Sequence, residues 1–166
     1  MAKITLQGHE FNTNGDLPKI GEKAPNFKLT KTDLSDAEAN HFEGKKVILN
    51  IFPSLDTPVC AASTRKFNQE AANLDNTVVL CISKDLPFAH GRFCSTEGIE
   101  NVVSLSQLKS SSKFAEDYGV LITDGPMENL MARAVVVLNE KNEVVYTELV
   151  PEITQEPNYE AALKSL

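Results

Sequence analysis

Two stretches of this chain are apolar almost without interruption, and a polar residue closes each at both ends or nearly so. Lys46-Val47-Ile48-Leu49-Asn50-Ile51-Phe52 and Thr77-Val78-Val79-Leu80-Cys81-Ile82-Ser83 are short and rich in β-branched residues, the pattern of strands covered on both faces. Between them, residues from Pro58 to Leu74 have helical spacing, so the order is strand, helix, strand, the βαβ unit of a parallel sheet. Upstream, Ile4 to Asp16 alternates weakly and carries Gly8 and the Asn14-Gly15 turn signal, which predicts a β-hairpin. After a break at Gly21 and Pro25, Phe27-Lys28-Leu29-Thr30 reads as a short strand. Downstream come a short helix at Leu86 to Glu97, a small strand at Asn101 to Ser104 and a helix at Ser112 to Tyr118. Ala132 to Leu138 and Val144 to Leu149 form a hairpin across Asn139-Glu140-Lys141-Asn142, and Asn158 to Leu166 is a closing helix. No repeat, low-complexity tract or linker interrupts this order. Residues 1–166 are therefore expected to form one α/β domain, a three-layer sandwich with an N-terminal β-hairpin extension.

Composition acts mainly by exclusion. At 166 residues and 42% hydrophobic, the chain is long enough for a real core. A formal charge of -7 disfavours phosphate backbones, and no basic run with interleaved aromatics offsets it, so no nucleic-acid partner is expected. No stretch approaches the ~20 apolar residues of a membrane span, and Met1 to Gly8 lacks the apolar run of a secretory signal. The expectation is a cytoplasmic protein without a membrane partner. Cys60, Cys81 and Cys94 are too few and too far apart to staple a secreted domain, which points to redox or catalytic use. No CxxC is present, and His90 with Cys94 is at most a two-ligand fragment, so no metal is expected.

The strongest chemical signal is the run Pro53-Ser54-Leu55-Asp56-Thr57-Pro58-Val59-Cys60, which leaves a strand and enters a helix. With Thr57 as N-cap, Pro58 falls at the first helical position, where its missing N–H costs nothing, and Cys60 at the third. A side chain there reaches back to the N-cap N–H as the acceptor of a capping box, a role that suits a thiolate. The positive end of the helix dipole favours the same anion, and the Thr57 hydroxyl can bond to it or to a substrate oxygen. The thiolate is the reactive form of cysteine. Phe67, Ala71 and Leu74 share the helical face of Cys60, which predicts a partly covered pocket.

A buried thiolate needs a cation. Arg133, in Leu130-Met131-Ala132-Arg133-Ala134-Val135-Val136-Val137-Leu138, is costly inside so apolar a run unless it faces an anionic site or reaches solvent from the strand's start. Both placements stay open, with Arg65 and Arg92 as competing cations, the former reading as a solvated helix residue. Cys94 lies beside an apolar face of Leu86, Ala89 and Phe93, on a helix that Gly91 weakens by about 1 kcal/mol relative to alanine. It is either a stray surface thiol or one that a melting helix can carry to Cys60. Such a crosslink would close a loop of about 34 residues and constrain the unfolded chain by about 4 kcal/mol on the entropy model. Cys81, in an apolar strand, reads as a core residue.

Pro53, Thr57 and Cys60 stand in a PxxxTxxC arrangement that resembles the peroxiredoxins, and Cys94 matches the resolving position of their thiol peroxidase subfamily. The resemblance covers essentially the whole chain, including Asn50 to Ser54 and Ala132 to Val137, and its order of elements looks like the thioredoxin fold. It implies that Cys60 attacks a hydroperoxide and becomes a sulfenic acid. Thr57 and Arg133 would hold the peroxide and stabilise developing charge, and Pro53 would shield the pocket. Cys94 would then condense with the sulfenic acid in the same chain, and thioredoxin would reduce the disulfide. The resemblance further implies a homodimer, a liking for alkyl hydroperoxides and no metal, haem or flavin cofactor. A dithiol oxidoreductase on the same fold would need a cysteine where Thr57 stands, and a non-catalytic domain would leave Cys60, Arg133 and Cys94 as coincidences.

Overall fold

The computed structural model describes residues 2–166. Its first two strands, β1 (Lys3–Leu6) and β2 (His9–Asn12), form the expected hairpin. The turn between them is Gln7-Gly8, not Asn14-Gly15: both central residues have positive φ, 51° and 86°, the geometry of a type I′ hairpin turn. Asn14 instead fastens the chain to a distant loop, its carbonyl Oδ1 accepting from the Leu121 N–H.

The remaining strands are β3 (Lys28–Lys31), β4 (Asp36–Glu38), β5 (Lys46–Ile51), β6 (Thr77–Ser83), β7 (Val103–Ser106), β8 (Ala134–Leu138) and β9 (Val144–Leu149). They make one seven-stranded sheet of order β4-β3-β7-β6-β5-β8-β9. The central β5, β6 and β7 are parallel, and both flanks are antiparallel. Sequence reading missed β4, whose polar Asp-Ala-Glu carries no alternating signal; β3 holds it through backbone pairing. The helices are α1 (Pro58–Ala71), α2 (Pro87–Glu97), α3 (Phe114–Asp117) and α4 (Tyr159–Lys164). The fold is thioredoxin-like, with its sheet between two helical layers.

Because side chains alternate along a strand, the sheet sorts its residues between two cores. Val47, Leu49 and Ile51 join Leu80, Ile82, Ala134 and Val136 beneath Phe114 of α3. Ile48 and Phe52 join Val79, Cys81, Val135 and Val137 beneath Cys60 and Phe67 of α1 and Ala162 of α4. The predicted face of α1 is real, with Ala71 and Leu74 packed on the same cluster. That of α2 is different. Leu86 and Phe88 are exposed, Ala89 and Phe93 half-buried, and the fully covered residues are Pro87 and His90. α2 ends at Gly98, whose φ of 66° is a left-handed cap that glycine adopts without strain.

Candidate active site

The loop leaving β5 carries the buried Pro53 and reaches α1 with Thr57 as an extended N-cap, Pro58 first and Cys60 third in the helix. The capping box is not formed. The Thr57 N–H and Oγ1 both donate to the Ser54 carbonyl oxygen, at 3.2 and 2.9 Å, closing a turn that uses both donors. Thr57 Oγ1 therefore keeps its lone pairs for another donor. The Cys60 sulfur takes a stronger partner: Nη2 of Arg133 lies 3.2 Å from Sγ. Arg133 is 1% exposed, which removes the solvent-facing alternative. It stands just before β8 with the parity of Val135 and Val137, the two β8 residues packed on the Cys60 side of the sheet. Its Nε donates to the Ile153 carbonyl at 2.8 Å, which fixes the guanidinium, while the buried Nη1 has no hydrogen-bond partner among the described residues. A guanidinium held this way presents one donor to Sγ and keeps another for an incoming oxygen.

Cys60 is more enclosed than the partly covered pocket predicted, at 0% exposure among Phe52, Leu55 and Phe67. The other two arginines are engaged elsewhere. Arg65 is not simply solvated: it forms two hydrogen bonds with Glu97, at 2.7 and 3.2 Å, and lies over the Phe93 ring, tying α1 to the end of α2. Arg92 pairs with Asp56 at 3.7 Å, across exposed surface.

All three cysteines are free. Cys94 is half-buried, with Sγ 3.3 Å from Ser104 Oγ on β7, so it and Cys60 rest against different partners in this closed state. Cys81 is wholly buried beneath α1, and burial pushes its thiol up to about 12. That thiol stays protonated and unreactive at neutral pH. Of the His90/Cys94 pair, the ring's Nε2 faces Ser83 Oγ at 3.0 Å and the sulfur faces Ser104 Oγ at 3.3 Å. Sequence reading missed Asp85, whose carboxylate accepts from Ser54 Oγ and the Leu55 N–H, both at 2.8 Å. Its only trace in the sequence is a lone acid between a strand's end and the Leu86-Pro87 helix start.

The Redoxin family profile matches residues 19–163. Over 166 residues the chain is 58% identical to the thiol peroxidase of Mycobacterium bovis, spanning 100% of this chain and 99% of that one. The chain belongs to the Redoxin family, among its thiol peroxidases. The thiol peroxidase of Corynebacterium glutamicum is 53% identical over the same span. A peroxiredoxin-like protein from Aquifex aeolicus matches with a TM-score of 0.92 at 37% identity, over 99% of this chain and 96% of that one. A thiol peroxidase from Chromobacterium violaceum shares the fold, with a TM-score of 0.90 at 22% identity over 99% and 95% of the two chains. The enzyme is thus a peroxiredoxin-type peroxidase, and its reaction is the reduction of peroxides at cysteine. No helix of the described residues is long and apolar enough to cross a membrane.

Proposed function

We propose that Cys60 is the peroxidatic nucleophile and Cys94 the resolving cysteine of a cycle completed within one chain. The observation that carries the first assignment is the Arg133 guanidinium against a wholly buried sulfur in the first turn of α1. The Cys60 thiolate attacks the terminal oxygen of a hydroperoxide, the O–O bond breaks, and the departing alkoxide or hydroxide takes a proton to leave as alcohol or water. Arg133 stabilises the charge moving from sulfur to the leaving oxygen, and its unpartnered Nη1 donates to the peroxide. Thr57 Oγ1, its own proton committed to Ser54, accepts from the hydroperoxide O–H and orients it. Pro53 helps to keep water from the sulfur.

The Cys94 thiolate then attacks the Cys60 sulfenic sulfur, forming the S–S bond and releasing hydroxide, which is protonated to water. Thioredoxin restores both thiols. Apolar cover from Phe52, Leu55 and Phe67 supports organic hydroperoxides alongside hydrogen peroxide as substrates. The reading takes residues 1–166 as one domain working in the cytoplasm as a homodimer, with no cofactor. The test mixes reduced protein with a slight excess of cumene hydroperoxide and follows thiol loss. Cys60→Ser abolishes the fast reaction, whereas Cys94→Ser completes one turnover and accumulates sulfenic acid trappable by dimedone. Fast peroxide consumption by Cys60→Ser would falsify the assignment.

A further inference from the structure

Asp85 lies in the turn between β6 and α2, and its carboxylate meets the loop before Cys60 directly and the helix of Cys94 only through Ser83. Oδ1 accepts from Ser54 Oγ at 2.8 Å, and Oδ2 accepts from the Leu55 N–H at 2.8 Å and Ser83 Oγ at 2.6 Å. Ser54 in turn receives both donors of Thr57 on its carbonyl, so the carboxylate grips the loop that sets Thr57 and Cys60.

On its other side the network continues through Ser83, the last residue of β6 and wholly buried. Having given its proton to Asp85, the Ser83 hydroxyl can only accept, from the Asp85 N–H at 3.1 Å and from His90 Nε2 at 3.0 Å. That accounting fixes the tautomer of His90: Nε2 carries the proton, and the buried Nδ1 has no partner among the described residues. Burial pushes the ring down to about 4 against the opposing pull of Asp85, so it is neutral at physiological pH. His90 is the one polar side chain that α2 buries, and Cys94 follows it one turn later on the same face. The Asp85 carbonyl also takes the Ser106 hydroxyl from β7, which braces the turn itself.

We propose that Asp85 is a positioning residue shared by the two cysteine segments. Directly, it sets the Cys60 loop for attack on peroxide; through Ser83 and His90, it latches α2 and so governs how readily Cys94 departs. The inference rests on the assignment of Cys60 and Cys94 as the reacting sulfurs. Its signature is a split between two steps that one weakened fold would not produce. Loss of the His90 end alone frees α2 while leaving the Cys60 loop held by Ser54 and Leu55. Loss of the Asp85 end affects both.

The test is quenched-flow oxidation with cumene hydroperoxide, in which intact mass after alkylation separates thiol, sulfenic acid and disulfide at each time. His90→Leu removes the bond to Ser83 and keeps apolar bulk. It is expected to speed disulfide formation about threefold to tenfold, the range for one buried neutral hydrogen bond, with sulfenic acid forming at the wild-type rate. His90→Gln, whose side-chain amide can still donate to Ser83, is expected to bring resolution back toward the wild-type rate. Asp85→Asn, which replaces one accepting oxygen by a donor, is expected to slow sulfenic acid formation at least tenfold while also speeding resolution. The variants would also differ at high peroxide, with less sulfinic acid accumulating in His90→Leu than in wild type. Wild-type resolution in His90→Leu, or an equal slowing of both steps in His90→Leu and His90→Gln, overturns the latch. If wild type itself forms no disulfide between Cys60 and Cys94, the underlying assignment fails instead.

Discussion

Arg133→Met tests the centre of the proposed mechanism, because it removes the guanidinium and keeps most of the apolar stem. Two unit charges 3.2 Å apart attract by about 5 kcal/mol at an effective dielectric of 20, an upper bound for the pair. Desolvation of both groups offsets part of that, and hydrogen bonds to charged partners contribute about 1.5–3 kcal/mol net. A loss near 3 kcal/mol of transition-state stabilisation corresponds to a second-order rate constant with cumene hydroperoxide about 150-fold below wild type. Stopped-flow competition against a haem peroxidase measures that constant at a single pH. Arg133→Lys supplies the comparison, since one ammonium cannot span both Sγ and the Ile153 carbonyl that Arg133 bridges, and its rate should fall between the two. A thermal melt in parallel reports any loss of fold. An Arg133→Met rate within threefold of wild type, in a protein that melts normally, refutes the reasoning.

Three further outcomes follow from the same geometry. With Cys60 and Cys94 both changed to serine, Cys81 should resist iodoacetamide at pH 8 in the native protein and react on unfolding, because burial holds its thiol near 12 against an ordinary 9.0. Rapid native labelling would show the strand to be open. Phe67→Ala, at a wholly buried ring 5.2 Å from that of Tyr159, should cost about 3–5 kcal/mol in urea unfolding, and a loss below 1 kcal/mol would mean the face is not packed. Hydrogen bonds from Thr154, Gly8 and Thr5 hold the Glu152 carboxyl down to about 2 from 4.5. A depressed acid stabilises above its unfolded value, so this tie between the N-terminal hairpin and the chain near Thr154 is fully present above pH 4.5 and lost as pH falls toward 2. Amide protection over Lys3–Asn12, taken relative to the open-chain exchange rate at each pH, should fall through that window in wild type, and a Glu152→Gln protein with an unchanged profile would reassign the effect.

What the sequence disclosed and withheld follows the range of the interactions. The central strands and α1 were legible because a strand covered on both faces must be apolar throughout and a helix start punctuates itself with Thr57-Pro58. The second residues of contacts far apart in sequence were not. Arg133 shares its parity with Val135 and Val137, but both faces of β8 are apolar, so nothing local told which face meets α1. The apolar spacing of α2 misled for a related reason: its covered side is defined by one histidine meeting Ser83, while Leu86 and Phe88 stay exposed. Asp85 looked like any loop acid, because its three acceptor contacts come from Ser54, Leu55 and Ser83, two of them about 30 residues upstream.

Enclosure of Cys60 also bears on how attack and resolution can share one site. Arg133 lies against a sulfur at 0% exposure, so this arrangement suits the reduced enzyme of the proposed cycle. The same enclosure keeps the sulfur from Cys94, which rests on Ser104. With Cys60 and Cys94 as the proposed reacting pair, attack and disulfide formation therefore belong to different conformations. On the proposed assignment, oxidation itself supplies the bias between them, since a Cys60 sulfenic acid offers Arg133 no charge and so weakens a principal tie on the first turn of α1. The closed state is then held chiefly by neutral contacts and by the Asp85 network, and opening becomes easier only after peroxide has been consumed.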